Sequence, residues 1–242
     1  MNKFEGSYIE WFKSELKGWN PVMWTIWAFG FGFQTSILVT NTITWQAIVT
    51  YLATLVGLLC TCSMAEGRPI NGLLGLISVV GFVLVNAMAH HWWSVLDQVI
   101  FALAIDIPLI KEWRTWGQDF NAKVRKLDGY SWVLTIAAVF IAWLALYKIA
   151  LRLNDPRPSS DSLVLALGAM ASILCLMHVS NTYTLWLAED AVNIFMWFYA
   201  LKDGYSPAAL PMLVSTIMYT VTAIYGQWFS VWNKAVADNE TV

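Results

Sequence analysis

Charged residues are scarce in this 242-residue chain, because Asp, Glu, Lys and Arg make up only 12% of it. An average soluble domain is about 25% charged, so the composition excludes an ordinary soluble domain. The net charge of −2 and the pI near 5.9 give no sign of nucleic-acid binding, and no nucleic-acid partner is expected.

Signatures of catalysis and metal binding are also missing. The sequence has no Gly-x-x-x-x-Gly-Lys-Ser/Thr phosphate loop, no His-Glu-x-x-His and no Gly-x-Ser-x-Gly. The three cysteines, Cys60, Cys62 and Cys175, lie in apolar runs, which predicts buried thiols rather than a metal site. We therefore expect no cofactor, and transport or passive channel function fits better than an enzyme.

Apolar residues dominate what is present. Hydrophobic residues make up 58% of the chain, with 15 tryptophans, 12 phenylalanines and a mean hydropathy of +0.57. No alternation typical of membrane β-strands is visible, so the pattern predicts an all-α, polytopic integral membrane protein. About eight segments have spanning length. They cover residues 22–40, 44–64, 71–90, 93–111, 131–150, 162–179, 183–201 and 208–231.

The distribution of Lys and Arg predicts the orientation of these spans. With eight spans, ten basic residues fall on the side of both termini and four on the other side. Since basic loops stay in the cytoplasm, both termini are predicted to be cytoplasmic. The N-terminus is charged, with Lys3 and Glu5, so we do not expect it to be a cleavable signal peptide.

A faint internal repeat appears when the chain is shifted by 115 residues. Cys60 then falls on Cys175, and Trp113 on Trp228. An offset of four helices keeps the orientation, so it predicts two parallel three-helix bundles joined by a linker helix, plus an N-terminal helix. The predicted divisions are 1–43 (N-terminal segment and extra helix), 44–116 (first bundle), 117–160 (loop and linker helix), 161–232 (second bundle) and 233–242 (tail).

The most informative segment is the seventh span. Trp186, Asp190, Asn193 and Trp197 stand at i, i+4, i+7 and i+11, which is one face of a helix. A carboxylate and an amide inside a bilayer cost several kcal/mol unless they face protein or a cavity. This face is therefore interpreted as the wall of a small-molecule pathway. Interfacial tryptophans with a helix-packing asparagine are the alternative.

The fourth span carries further polar residues. Asp97, Gln98 and Phe101 share a face with Ser94. Gln98 is a candidate ligand amide or an interhelical packing group, and Asp97 is a proton site or an interfacial cap. Asp106 precedes Ile107-Pro108, so it is interpreted mainly as a partner for backbone that the proline leaves unpaired.

The eighth span places Ser215, Tyr219 and Thr222 on one stripe, which is interpreted as pore lining. His90 and His91 stand at a predicted turn between the third and fourth spans. We expect both imidazoles to be solvated or to face lipid headgroups.

Several motifs of the chain resemble the PnuC family of bacterial vitamin transporters, over roughly residues 50–232. In the second half these are Asn154-Asp155-Pro156-x-Pro158 with Asp161, Trp186-x-x-x-Asp190-x-x-x-Ile194-x-x-Trp197 and Ile224-Tyr225-Gly226-x-Trp228. In the first half they are the Gly67 turn, Gly75-Leu-Ile77 and Val95-Leu-Asp97-Gln98-x-x-Phe101. Ser78 departs from the family, since many relatives have Gln there.

The resemblance implies a fold similar to that of SWEET transporters and a homotrimer in the bacterial inner membrane. It also implies uptake of nicotinamide riboside by facilitated diffusion, with a cytoplasmic riboside kinase trapping the substrate as its phosphate. On this hypothesis, Trp186 and Trp197 would sandwich or gate the pyridinium and ribose. Asn193 and Gln98 would bond the carboxamide or ribose hydroxyls, and Asp190 would supply negative potential or orient the helix.

Further expected lining residues are Asp97, Phe101, Tyr219 and Ser78. Because Ser78 departs from the family pattern, a carrier of thiamine or riboflavin with the same fold stays open as the alternative. A membrane protein that does not transport, such as an intramembrane enzyme, is the distant alternative.

Overall fold

The computed structural model describes residues 5–116, 123–204 and 206–240, with side chains up to residue 236. Regular structure in these ranges is helical apart from one isolated bridge between Arg125 and Val179. The helices are α1 (Tyr8–Glu15), α2 (Pro21–Thr40), α3 (Trp45–Ala65), α4 (Ile70–Met88), α5 (Trp92–Lys111), α6 (Gly129–Arg152), α7 (Pro158–Leu176), α8 (Thr182–Lys202), α9 (Ala209–Trp228) and α10 (Val231–Glu240). The predicted all-helical membrane fold is confirmed.

Seven helical segments in the described ranges are long and apolar enough to cross a membrane. They are α2 to α7 and the stretch from Ala209 to Val236, which joins α9 to the start of α10. The seventh predicted span forms α8, which has the required length at 21 residues but carries Glu189 and Asp190 within it. These two acidic residues make α8 less apolar than the seven other spanning segments.

Local sequence signals fix the helix ends. Asn20, Thr44 and Asp128 each cap a helix by accepting a hydrogen bond from a backbone N–H of the first turn. Gly67, with φ of +67°, makes the tight turn between α3 and α4. Within α5, residues Ala102–Asp106 form a π-helical turn just before Pro108, where the missing N–H removes one ladder bond.

Six helices close into a ring. Going round it, α3 packs on α4, α4 on α5, α5 on α7, α7 on α8, α8 on α9, and α9 back on α3. Outside the ring, α2 packs on α3 and α9, while α6 packs on α7. Both outer helices expose apolar side chains such as Phe29 and Ile141, which are 61% and 67% exposed. Such a surface suits contact with lipid.

The helix bounds agree with the predicted repeat. Adding 115 to α3, α4 and α5 gives 160–180, 185–203 and 207–226, close to the observed α7, α8 and α9. The contacts follow the same shift, because the α5–α7 contact corresponds to the α9–α3 contact. The division into the five segments named above stays a prediction, since the ring is continuous across it.

The polar turn after α3 holds the N-terminal segment. The Arg68 guanidinium donates to the backbone oxygens of Glu15, Lys17 and Gly18 and forms an ion pair of 2.7 Å with Glu66. Near this turn, the Trp232 indole donates to the Met64 oxygen over 2.9 Å. The segment between α1 and α2 and the start of α10 are thus anchored near the same end of the ring.

Candidate functional site

The ring encloses two adjoining cavities, of about 140 and 100 Å³. They share the side chains of Phe82, Asp97, Gln98, Glu189, Asp190 and Tyr219. The first cavity lies toward Trp186 and Tyr183, and the second toward Asn193 and Trp197. All six ring helices contribute to the lining, so the site depends on closure of the whole ring.

The polar face of α8 lines this space along its length. Trp186 lines the first cavity, Asp190 lines both, and Asn193 and Trp197 line the second. Helical spacing of four, three and four residues puts these side chains on one stripe. The structure therefore brings the four residues of this face together around one enclosed space.

The remaining candidates also reach the cavities. Ser78 and Phe101 line the first cavity, and Asp97, Gln98 and Tyr219 line both. The Ser78 hydroxyl donates to the backbone oxygen of Gly75 over 2.9 Å, so it satisfies its own helix rather than a neighbour. Its short side chain leaves room in the first cavity.

The two tryptophans have different surroundings. Trp186 lies between Phe101 and Tyr183, with ring centroids 6.5 and 5.2 Å away. Trp197 is only 1% exposed, and the His91 ring meets it at 5.1 Å in an edge-on arrangement. An aromatic group thus stands at each end of the lined space, where it can contact a flat ligand.

Between the tryptophans the lining is acidic. The Asn193 side-chain amide donates to the Glu189 carboxylate over 3.3 Å. The Asp190 carboxyl group lies beside the Thr220 hydroxyl. Asp97 is 5% exposed, and its carboxylate occupies the space beside Gly168 of α7. Three carboxyl groups therefore face one small enclosed volume.

Among the described residues, no basic side chain lines the cavities to balance these three carboxyl groups. Neither cavity has a Lys, Arg or His in its lining. Over the same parts of the chain, no three His, Cys, Asp or Glu side chains are grouped to hold a metal ion. The three cysteines are free and buried, as predicted. The lining suits a cation with a flat apolar body.

The lining residues that were not among the sequence-based candidates include Glu189, Phe82 and Tyr183. Glu189 stands next to Asp190 but off the predicted stripe, so the face argument left it out. Phe82 and Tyr183 looked like ordinary apolar residues. The repeat did contain a signal for Phe82, because a shift of 115 residues puts it on Trp197.

The expectation that His91 is solvated is wrong. The side chain is 0% exposed and lies 3.8 Å from the Asp161 carboxylate, which accepts a hydrogen bond of 2.6 Å from Ser94. Burial, followed by the nearby Arg157 and His90, lowers the pKa of His91 to about 4, so its imidazole is neutral at pH 7. The His91 ring packs against Trp197 instead of facing water, whereas His90 in the same turn is exposed.

The interpretation of Asp106 as a partner for unpaired backbone is also wrong. Both carboxylate oxygens are buried without a hydrogen-bond partner. The carboxylate lies against Gly75, where a Cβ atom would collide with it. The π-helical turn before Pro108, rather than the Asp106 side chain, accommodates the proline.

Comparisons with known proteins give one consistent family. A family model described as "Nicotinamide mononucleotide transporter" matches residues 47–234. The "Nicotinamide riboside transporter PnuC" of Neisseria mucosa is 25% identical over 252 aligned positions, covering 98% of this chain and 91% of that protein.

A solved structure agrees in fold. The "Crystal structure of the Vitamin B3 transporter PnuC" matches with a TM-score of 0.78 and 21% identity, over 96% of this chain and 99% of that one. The family model covers most of the chain, and the resemblance seen in the motifs is confirmed. This multi-pass membrane protein belongs to the nicotinamide mononucleotide transporter family, that of PnuC.

Proposed function

We propose that the chain carries nicotinamide riboside across the membrane through the space lined by α8. The observation that carries this proposal is the lining itself, in which Trp186 and Trp197 flank Asp97, Glu189 and Asp190 with no basic residue among the lining residues described. The riboside is a flat pyridinium cation joined to a polar sugar. Its charge, shape and hydroxyl groups each find a matching partner there.

Each contact has a physical reason. A cation over a tryptophan face gains about 0.5–2 kcal/mol. The amides of Gln98 and Asn193 each offer a donor and an acceptor, which suits the carboxamide of the vitamin. Carboxylates accept hydrogen bonds from ribose hydroxyls and balance the pyridinium charge. These assignments for Trp186, Trp197, Asp190, Asn193 and Gln98 are part of the proposal.

The acidic lining favours the riboside over the mononucleotide named in the family description. A phosphate group would bring negative charge into a small space that already holds Asp97, Glu189 and Asp190. Like charges in such surroundings repel strongly. Phosphate sites elsewhere use Arg, Lys or helix N-termini, and the described lining offers no Arg or Lys.

The wider proposal concerns the cell. The carrier would lie in the bacterial inner membrane as a homotrimer with both termini in the cytoplasm. Uptake would be facilitated diffusion, and a cytoplasmic riboside kinase would trap the product. The excess of Lys and Arg on the side of the termini supports this orientation.

Thiamine is the second candidate substrate, because it is also a flat cation. Ser78, where many relatives have Gln, leaves the first cavity without a long amide at that position. A different vitamin could use that room. Riboflavin, which is larger and neutral, gains less from the three carboxyl groups.

Calorimetric titration of the purified protein in detergent tests the proposal. Nicotinamide riboside should bind, while the mononucleotide and riboflavin should give little or no heat. If thiamine is the one vitamin that gives heat, the fold assignment stands but the proposed substrate becomes thiamine instead of nicotinamide riboside. Asn193→Ala should weaken riboside binding and uptake, whereas Asn41→Ala, at an exposed helix end, should not. Unchanged uptake by Asn193→Ala would remove Asn193 from the site.

A further inference from the structure

A further cavity, of about 480 Å³, lies at the end of the ring opposite the Arg68 turn. At this end α2, α4 and α8 finish, and α3 and α9 begin. Side chains of all five helices and of the segment before α9 line the cavity. On the proposed orientation this end faces the outside of the cell, and we call the cavity the outer chamber.

The lining of the outer chamber is rich in polar side chains but carries no charge among the described residues. Its amide and hydroxyl groups include those of Gln34, Asn41, Thr42, Gln46, Thr50 and Ser206. Such groups can donate and accept hydrogen bonds for a solute that is losing its water. The neutral ribose and carboxamide of a riboside fit this lining, whereas the pyridinium charge finds no partner until it reaches the acidic cavities.

About one helical turn separates the outer chamber from the second enclosed cavity. At the start of α9, Ala208 lines the chamber and Met212 lines the cavity. On α8, Leu201 lines the chamber and Trp197 lines the cavity. Four residues span roughly 6 Å of an α-helix, so the two spaces are close neighbours with a thin barrier between them.

The barrier is a closed apolar layer. Met212 and Trp197 belong to one buried cluster together with Val85 and Ala200, and they are only 7% and 1% exposed. An apolar layer is costly for a cation to cross. A methionine side chain is unbranched and has three rotatable bonds, so Met212 can swing aside more easily than the ring of Trp197.

Helix α2 holds the neighbouring backbone in place. The Gln34 side-chain amide donates to the Pro211 backbone oxygen and to the Ser215 hydroxyl, each over 2.8 Å. Gln34 is buried, and Met212 directly follows Pro211. Because the start of α9 is fixed in this way, movement of the Met212 side chain is the smallest change that opens the barrier.

We propose that the substrate passes through the outer chamber and that Met212, packed beside Trp197, is the gate to the enclosed cavities. The inference rests on the proposed function, because it takes nicotinamide riboside as the solute that is carried. The chamber holds the neutral sugar and amide of the riboside, and the carboxyl groups beyond the gate attract its cation. No step needs a coupled ion, which agrees with facilitated diffusion.

A bulkier side chain at residue 212 tests the gate. In Met212→Phe, a rigid ring fills the barrier, and the maximal rate of riboside uptake into vesicles should fall about tenfold, as for about 1.4 kcal/mol added to a kinetic barrier. The affinity in detergent should stay within about threefold of wild type, or about 0.7 kcal/mol. Met177→Phe, at an exposed methionine that ends α7, is the control and should transport like wild type.

A second variant covers the case in which Met212→Phe does not fold. Met212→Ala shortens the side chain, so riboside uptake should become faster than in wild type. Wild-type uptake rates in every folded Met212 variant overturn the gate. A loss of affinity as large as the loss of rate also overturns it, because Met212 would then act in binding.

The outer chamber is tested by blocking it. Thr42 is exposed and lines the chamber, so a bulky maleimide is attached to Thr42→Cys in detergent before the protein is reconstituted into vesicles. The three native cysteines are buried and should stay unlabelled. Riboside uptake should be lost, while binding in detergent persists because the enclosed cavities can still fill from the other end.

Ser159→Cys is the labelling control. Ser159 is exposed near the start of α7, at the same end of the ring, but it does not line the outer chamber. The ion pair between Arg157 and Asp203, at 2.8 Å, joins this start of α7 to the end of α8. Labelled Ser159→Cys should transport like the unlabelled protein. Equal loss of uptake in both labelled variants contradicts a path through the chamber.

The outcomes separate this inference from the proposed function. If wild type takes up riboside and labelled Thr42→Cys does so equally well, the path is wrong but the carrier function stands. If wild type neither binds riboside nor takes it up, the proposed function fails, and the path and gate for riboside fail with it.

Discussion

The carboxylate of Asp97 occupies the space that a side chain at Gly168 would fill. An ideal Cβ atom at residue 168 would fall 2.8 Å from Asp97 Cγ. Gly168 is buried on α7 and Asp97 on α5, so this close approach joins two neighbouring helices of the ring. The glycine is required here for space rather than for backbone conformation.

Gly168→Ala should therefore push the Asp97 carboxylate out of place. Overpacking of this kind costs about 1–3 kcal/mol, and we expect a lower melting temperature together with roughly tenfold weaker riboside binding, equivalent to about 1.4 kcal/mol. Thermal unfolding and calorimetry in detergent measure the two effects. Gly32→Ala is the control, since its Cβ would meet nothing within 4 Å. Wild-type affinity in Gly168→Ala would show that Asp97 has no part in binding.

The sequence predicted the elements well because membrane helices carry strong signals. Long apolar runs predict their own bounds, and the predicted 183–201 span corresponds to the observed α8, Thr182–Lys202. The polar stripe on α8 was also visible, because Asp190 and Asn193 are rare in such a run and their spacing is helical. Periodicity within one helix depends only on positions that are close together in the chain, so it can be recognised from the sequence alone.

Contacts between helices were much harder to predict. Burial of His91 depends on Asp161 and Trp197, which stand 70 and 106 residues later in the chain. Asp106 lies against Gly75, which no local pattern reveals. Glu189 was missed because the predicted stripe was too narrow. The face of α8 that lines the cavities is wider than the four stripe residues and includes Glu189.

Trp186 provides a direct test of cation recognition. Trp186→Leu keeps an apolar side chain but removes the aromatic face, so we expect riboside affinity to fall about 2- to 30-fold, corresponding to about 0.5–2 kcal/mol. Binding isotherms of the purified variant measure this. Trp228→Leu, at a tryptophan that is 55% exposed, should bind like wild type. Equal affinities of Trp186→Leu and wild type would contradict a cation–π contact at this residue.

The hydrogen bond between Ser94 and Asp161 is expected to stabilise the contact of α5 with α7. It is 2.6 Å long, and both side chains are buried. Ser94→Ala leaves the Asp161 oxygen without this donor, which typically costs about 1–3 kcal/mol. The melting temperature in detergent should fall. Thr25→Ala, which removes an exposed hydroxyl bonded within its own helix, should leave it unchanged. Equal melting temperatures would mean that the bond contributes nothing net.

Docking of the N-terminal helix α1 should depend on pH through Glu15. Burial raises the pKa of Glu15 above its ordinary value of 4.5, outweighing the opposing effect of Arg68. The docked state therefore favours the protonated acid. Its stabilising contribution is fully present below pH 4.5 and is lost as the pH rises through the raised pKa.

Protection factors of the α1 amides against hydrogen exchange should accordingly decrease as the pH rises above 4.5, and Glu15→Gln should remove that decrease. Glu10→Gln is the control on the same helix. Hydrogen bonds from Ser7 lower the pKa of Glu10, so its contribution has the opposite sign and is lost as the pH falls. The decrease with rising pH must survive in Glu10→Gln. A decrease that persists unchanged in Glu15→Gln would assign the pH dependence to another group.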